Sequence, residues 1–323
     1  MSYMGSAQSL AAGQGLRIPS APWHASASTA PLAHFPPGYP LAIAVGIGAG
    51  LTPATSARVI MAVAAAATVV GVLLVLEPVG TIAAGVLAVL VLLFTPAMTV
   101  VHASVLSEPL YLAITALALW RLARLERSTG DWLLLGGLGA AAVMVRYAGA
   151  SLVLAAVLDA WLIGGTLRLR FTRMVTVAAL PVGAAVGWTL SRVREPNTEA
   201  IRKSALYLAN WDRTFAEGWT TICTWLAPGI TSVAVASVVA LGVIAALVTL
   251  TVRELRSSGD DVHGDALLRA VGLMAGSYVA VVLASRLLAD GEIPLDERLL
   301  APLGLVLTIG AVHVLVRWVW EGG

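Results

Sequence analysis

Long apolar runs broken by short polar stretches set the rhythm of this chain. Nine runs are candidates for helices that cross a bilayer: 56–76, 80–96, 105–122, 131–145, 147–164, 173–192, 227–252, 268–287 and 299–318. A crossing helix needs about 20 mainly apolar residues to span roughly 30 Å of hydrocarbon. As a single helix, 131–164 would run about 51 Å at 1.5 Å per residue. A tight turn at Arg146-Tyr147-Ala148-Gly149 is therefore expected to divide it into two short helices. The pattern predicts an all-α polytopic membrane protein of about nine transmembrane helices, with short interfacial helices on the extracytoplasmic side. Residues 1–55 form an extracytoplasmic segment in this reading, and residues 56–323 the bundle, with an amphipathic outer loop at 193–226.

Charge placement gives an orientation. Arg121, Arg124 and Arg127, then Arg168, Arg170 and Arg173, then Arg253 and Arg256 fall in loops that read as cytoplasmic, where Lys and Arg concentrate. Two of these clusters flank 131–164 and share a side only if that stretch is a hairpin. The opposite side receives 1–55, 97–104, the Arg146 turn, 193–226 and 288–298, which hold eight of the 18 acids. The expected placement is a multi-pass protein of the plasma (inner) membrane, N-terminus outside and C-terminus cytoplasmic. With a polar first 40 residues outside the membrane and no apolar helix before them, either this weakly charged tail crosses unaided or a first transmembrane helix lies upstream of Met1.

Composition narrows the function classes. The 323 residues are 59% hydrophobic and 12% charged, against about 25% charged in a soluble domain. Twenty Lys and Arg oppose 18 Asp and Glu, so no basic field draws nucleic acid. The lone Cys223 makes no disulfide framework. No Walker loop, dinucleotide fingerprint, HExxH or zinc set is present.

The unusual residues gather in the outer connections. His34-Phe35-Pro36-Pro37-Gly38-Tyr39-Pro40 is stiffened by three prolines, which fix φ and remove donors. It is expected to stay non-helical until after Pro40 and either to admit the chain to the membrane or to wall an outer cavity. Glu108, in Ser107-Glu108-Pro109-Leu110, would cost roughly 2.5–3.5 kcal/mol if it faced lipid. It is expected to face the bundle, as a site carboxylate or as a helix-end partner with Ser107. His102 precedes it in an outer connection. Arg146 and Tyr147 occupy the tip of the hairpin, and Arg298 follows Asp296-Glu297 at another helix entrance. A guanidinium there must meet water, a headgroup, or a carboxylate or phosphate oxygen. Tyr207, Trp211, Phe215 and Trp219 recur every four residues as an interfacial aromatic stripe. Asp159 lies deep in its helix, toward the cytoplasmic side, and is expected to pair with an arginine there or to bind a proton.

In this order, these features resemble the GT-C superfamily of membrane glycosyltransferases, in the branch with protein O-mannosyltransferases and aminoarabinose transferases. The residues that carry the likeness are Ser2 to Leu16, His34 to Pro40, Ser107-Glu108-Pro109-Leu110, Arg146-Tyr147-Ala148-Gly149 and Glu297-Arg298-Leu299-Leu300-Ala301-Pro302. The resemblance implies sugar transfer from a polyprenyl-phosphate donor at the outer membrane face. It implies that Arg146 and Arg298 hold the leaving phosphate, and that Glu108 orients an acceptor or a divalent metal. His34 and Tyr39 would line the acceptor side. Members of this family carry a catalytic acid shortly before the segment equivalent to Tyr3. Residues 1–76 contain no Asp or Glu, so that acid is expected upstream of Met1, and a polypeptide without it would be inactive. The competing expectations are a multi-pass transporter or flippase and a non-catalytic pseudoenzyme.

Overall fold

A computed structural model of the chain describes residues 2–19, 29–32, 35–78, 82–193, 211–257, 262–288 and 294–320. Among these it is almost wholly helical. The order is α1 (Ser2–Ala11), β1 (Arg17–Pro19), β2 (Thr29–Pro31), α2 (Gly38–Gly48), α3 (Pro53–Leu76), α4 (Ile82–Leu93), α5 (Pro96–Ala103), α6 (Glu108–Leu122) and α7 (Thr129–Val145). A 3-10 turn at Tyr147–Gly149 leads to α8 (Ala150–Leu162), α9 (Leu167–Val193), α10 (Trp211–Leu226), α11 (Val233–Ser257), α12 (Val262–Leu288) and α13 (Glu297–Trp320). The short antiparallel β1–β2 ladder, which pairs Ile18 with Ala30, is the one departure from the expected all-α pattern among the described residues.

Five helices are long and apolar enough to cross a membrane: α3, α9, α11, α12 and α13. The expected span at 80–96 is instead α4, bent by 66° into α5, where Pro96 starts a new helix; taken together, the pair makes a sixth. The count of nine is not reached by length, because α6, α7 and α8 have 15, 17 and 13 residues. At 1.5 Å per residue they reach only about 20–26 Å, short of roughly 30 Å. Local chemistry sets those lengths. A reciprocal Ser128–Asp131 capping box opens α7, and Arg146 leaves the helix with extended backbone, φ −150° and ψ 139°.

Successive helices run back and forth between two ends of the bundle. Glu108 and Arg146 mark one, and Asp159 the other. Close approach of small residues joins the helices, as expected where lipid gives no hydrophobic drive to association. A Cβ on Gly71 of α3 would come within 2.7 Å of the Ala116 Cβ of α6. Val72, Leu76, Tyr111, Leu112, Leu119, Leu135, Leu152 and Leu305 are wholly or almost wholly buried in the core around this contact.

At the other end the expected pairing of Asp159 with an arginine is met twice. Asp159 is fully buried. Its Oδ2 receives Arg127 Nη1, and its Oδ1 lies 3.3 Å from Arg269 Nε of α12. Arg127 also donates to the Leu122 carbonyl and lies over the Trp132 ring. Arg121 pairs with Asp131, and Arg124 lies 3.6 Å from Glu77. These bonds tie the α6–α7 connection to α8, α12 and the end of α3.

Segment 38–48 is helical three residues earlier than its prolines suggest. Pro37 is the N-cap and Pro40 sits in the first turn of α2, where a missing N–H costs nothing. The described part of the 193–226 loop contains the expected surface helix, α10. On it, Trp211 and Phe215 pack with ring centroids 5.6 Å apart, and Trp219 Nε1 donates to Ser237 Oγ at 2.9 Å. Tyr207 lies outside the described residues.

Candidate functional site

Two glycines build the place where Arg146 sits. The turn after α7 is so tight that a Cβ on Gly149 would lie 2.2 Å from the Ala142 carbonyl carbon. The start of α2 presses on the same helix end, with Gly38 leaving only 2.7 Å between a would-be Cβ and the Met144 oxygen. Tyr111 fixes the turn from α6. Its hydroxyl donates to the Ala148 carbonyl and lies 3.1 Å from Ser151 Oγ. The side chain of Arg146 is thus directed inward at the bundle end.

There it meets Glu108. Arg146 Nη1 lies 2.8 Å from Glu108 Oε1, with the carboxylate almost wholly buried. Glu108 opens α6, and Ser107 just before it makes no capping bond to the helix backbone. Ser107 Oγ instead lies 3.5 Å from Glu108 Oε2 and 3.5 Å from the Tyr3 hydroxyl. Tyr3 packs on Phe35 and edge-on against Tyr39, each with a centroid separation of 5.2 Å. Tyr39 is fully buried, and its hydroxyl has no hydrogen-bond partner among the described residues. Burial, reinforced by the fields of Tyr3 and Glu108, pushes the Tyr39 hydroxyl up to about 12. Tyr3 is also raised, first by burial, against the opposing effects of Ser107, Arg146 and Arg298. On the far side, Tyr278 of α12 donates to the Leu299 carbonyl and lies within the field of Arg146 and Glu108. An ion pair shielded by Tyr3, Tyr111 and Tyr278, with Tyr39 behind Tyr3, is the centre of this end.

The residues singled out from sequence divide accordingly. Glu108, Arg146 and Tyr39 come together. Arg298 is at the same end, and its charge reaches Tyr3, but it is half-exposed and its Nε pairs with Asp296 Oδ2 at 3.2 Å. Asp296 also accepts from the Leu299 N–H at 2.8 Å, at the entrance to α13. Tyr147 turns outward; its hydroxyl lies 3.4 Å from Trp188 Nε1 of α9. His102 closes α5, with Nδ1 2.8 Å from the Met98 oxygen, and no contact among the described residues ties it to Glu108 or Arg146. His34 lies outside the described residues.

Tyr3, Tyr111 and Tyr278 were not singled out as site residues. Their one sequence signal was a phenol within an apolar or uncharged stretch of its helix. Such a group usually finds a polar partner when buried.

Among the described residues no three His, Cys, Asp or Glu side chains converge, and the Glu108 carboxylate is engaged by Arg146 and faces Ser107.

Residues 34–188 match the family model described as dolichyl-phosphate-mannose-protein mannosyltransferase. That stretch includes Tyr39, Glu108, Tyr111, Arg146 and the turn that carries it. No curated protein and no solved structure matches the chain. The family match supports a GT-C-like glycosyltransferase, an integral membrane protein with a lipid-linked sugar donor.

Proposed function

We propose that this chain transfers a sugar from a polyprenyl-phosphate donor to an acceptor at the Glu108 end of the bundle, on the extracytoplasmic face. The observation that carries the reading is the shielded Glu108–Arg146 pair, built from residues within the family match. In such a transfer the acceptor oxygen attacks the anomeric carbon and gives up its proton, which ends on the departing phosphate or in water. The carbon–oxygen bond to phosphate breaks, and its electron pair leaves with the phosphate. A fixed cation beside that oxygen favours the reaction because charge develops there. Arg146 supplies that cation and, being planar and always protonated, can grip two phosphate oxygens at once. In the resting state its charge is met by Glu108. A donor phosphate takes the place of the carboxylate, which is then free to orient the acceptor hydroxyl. Arg298, more exposed, meets the phosphate at the membrane surface and steers it inward. Tyr39 and Phe35 form the apolar wall on the acceptor side.

The accompanying topology has nine crossings, counting the shorter α6, α7 and α8 with the longer helices. Tyr147 and Arg168 then lie on opposite sides of the membrane. In a Cys223→Ser background, a membrane-impermeant thiol reagent should label Tyr147→Cys but not Arg168→Cys on intact cells. The reverse pattern would invert the topology.

Transfer from a defined polyprenyl-phosphate sugar, compared with transmembrane movement of the same lipid in vesicles, separates an enzyme from a flippase. Chemical transfer that falls at least tenfold in Arg146→Ala supports the reading. Movement without transfer, or full transfer by Arg146→Ala together with Arg298→Ala, would overturn it.

A further inference from the structure

The opposite end of the bundle carries a second set of unsatisfied polar groups, far from the sugar-transfer reading and independent of it. Leu74 and Val75 near the end of α3, Pro78 beyond it, Trp120 near the end of α6, Ala123 and Arg124 after it, and Leu267 of α12 line a shallow, mainly apolar hollow. Trp120 Nε1 and Arg124 Nε are both buried, and neither has a hydrogen-bond partner among the described residues. Arg121 Nε, one residue from Trp120, is in the same state. The three groups belong to a single turn of chain. The Arg121 and Arg124 guanidinium carbons lie 4.9 Å and 5.6 Å from the Trp120 ring centroid.

All three are donors, and none can accept. Buried donors without partners are rare in folded proteins and usually mark a missing ligand or water. Here the missing group must be an acceptor. The carboxylates nearby do not supply it. Asp131 is bound by Arg121 through its other nitrogen, and Glu77, two-thirds exposed, stands 3.6 Å from Arg124 Nη2. The site therefore combines an acceptor requirement, an indole and an apolar hollow at the end of a membrane-spanning bundle. Basic clefts between helix ends are the common way in which membrane proteins hold lipid headgroups.

We infer that the Trp120–Arg124 turn binds one membrane phospholipid, its phosphodiester oxygens accepting from Trp120 Nε1, Arg121 Nε and Arg124 Nε and the start of an acyl chain lying against Leu74, Val75 and Leu267. The phosphodiester displaces Glu77 from Arg124, which the loose 3.6 Å contact and the exposure of both side chains allow, and the Arg124 side chain swings aside to uncover the buried donors. The ligand is set by its phosphodiester and chain, because the three donors address phosphate oxygens rather than the rest of the headgroup.

Delipidated full-length protein in detergent, titrated with phosphatidylglycerol and followed by native mass spectrometry, tests this. One phosphatidylglycerol should bind ahead of the rest, and phosphatidylethanolamine, which shares the phosphodiester, should compete for it. Diacylglycerol of the same chains should not. Trp120→Phe and Arg124→Gln should each weaken the first binding step about tenfold. Arg124→Lys keeps the charge but not the Nε donor, and should weaken it as well while leaving the melting temperature without lipid unchanged. Equal binding by diacylglycerol, or unchanged binding in all three variants, would overturn the inference. So would inorganic phosphate displacing the lipid at equal concentration, because the site would then hold a free anion.

Discussion

Arg146 Nη1 and Glu108 Oε1 stand 2.8 Å apart although 38 positions separate them along the chain, each at the very end of its own helix. The contact exists because Gly149 and Gly38 let the α7–α8 turn and the start of α2 close on each other. A single ion pair therefore reports on the packing of four elements.

Breaking that pair from one side should be costly. Removing one partner of a buried ion pair typically costs about 3–5 kcal/mol, because the other charge is left uncompensated. Arg146 keeps some access to solvent, so Glu108→Ala should fall toward the lower end of that range. A clear drop in melting temperature of the purified protein in detergent is the expected result.

Glu108→Gln should separate stability from binding. It removes the charge that offsets Arg146 but keeps the shape of the side chain. Polyprenyl phosphate should bind several-fold more tightly, even as the protein melts earlier. A titration with the lipid in detergent measures both effects on one sample.

Asp159 holds the other end together. With Asp159→Asn, Arg127 and Arg269 lose the carboxylate they share, and a loss of about 3–5 kcal/mol is expected. Adding Arg127→Gln should cost much less than the sum of the two single changes, since residues in one network couple strongly. A double-mutant cycle on chemical or thermal unfolding checks this.

The hairpin turn makes a geometric prediction. Gly149→Ala places a methyl group against the Ala142 backbone, which cannot yield as a flexible side chain can. Overpacking of this sort costs about 1–3 kcal/mol and more against backbone. Because the turn also aims Arg146, binding of polyprenyl phosphate should weaken along with stability.

Tyr39 sets a pH dependence at the alkaline side. Its folded value, pushed up by burial to about 12, lies above the ordinary 10.0 of the unfolded chain. Between those values the folded state holds the proton more tightly than the unfolded state. Its contribution to stability is thus complete below about pH 10 and is lost as the pH rises toward 12. Tyr39→Phe should flatten that part of the stability–pH curve and remove one tyrosine from the late-titrating phenolate absorbance.

Much of this was legible from the residues alone. The apolar runs located the helices, and the excess length of 131–164 exposed the Arg146 turn. The energetic penalty on a lipid-facing carboxylate already pointed Glu108 inward. What sequence reading missed follows from contacts that no local pattern encodes. Tyr278 approaches Arg146 only because α12 packs beside the turn, and Tyr3 reaches Ser107 only through the fold of α1 onto α2. The bend between α4 and α5 was hidden because an apolar run continues through it, and Pro96 alone marked the break. Tyr147, adjacent to Arg146, points the other way because the chain leaves the α-helix between them.

The most direct test is a titration of polyprenyl phosphate into the purified full chain, comparing the unaltered protein with Arg146→Gln and Arg298→Gln. The account predicts at least a tenfold loss of affinity for Arg146→Gln and a smaller loss for Arg298→Gln, concentrated in the association rate and in its salt dependence. Equal affinity for the unaltered protein and Arg146→Gln would contradict it.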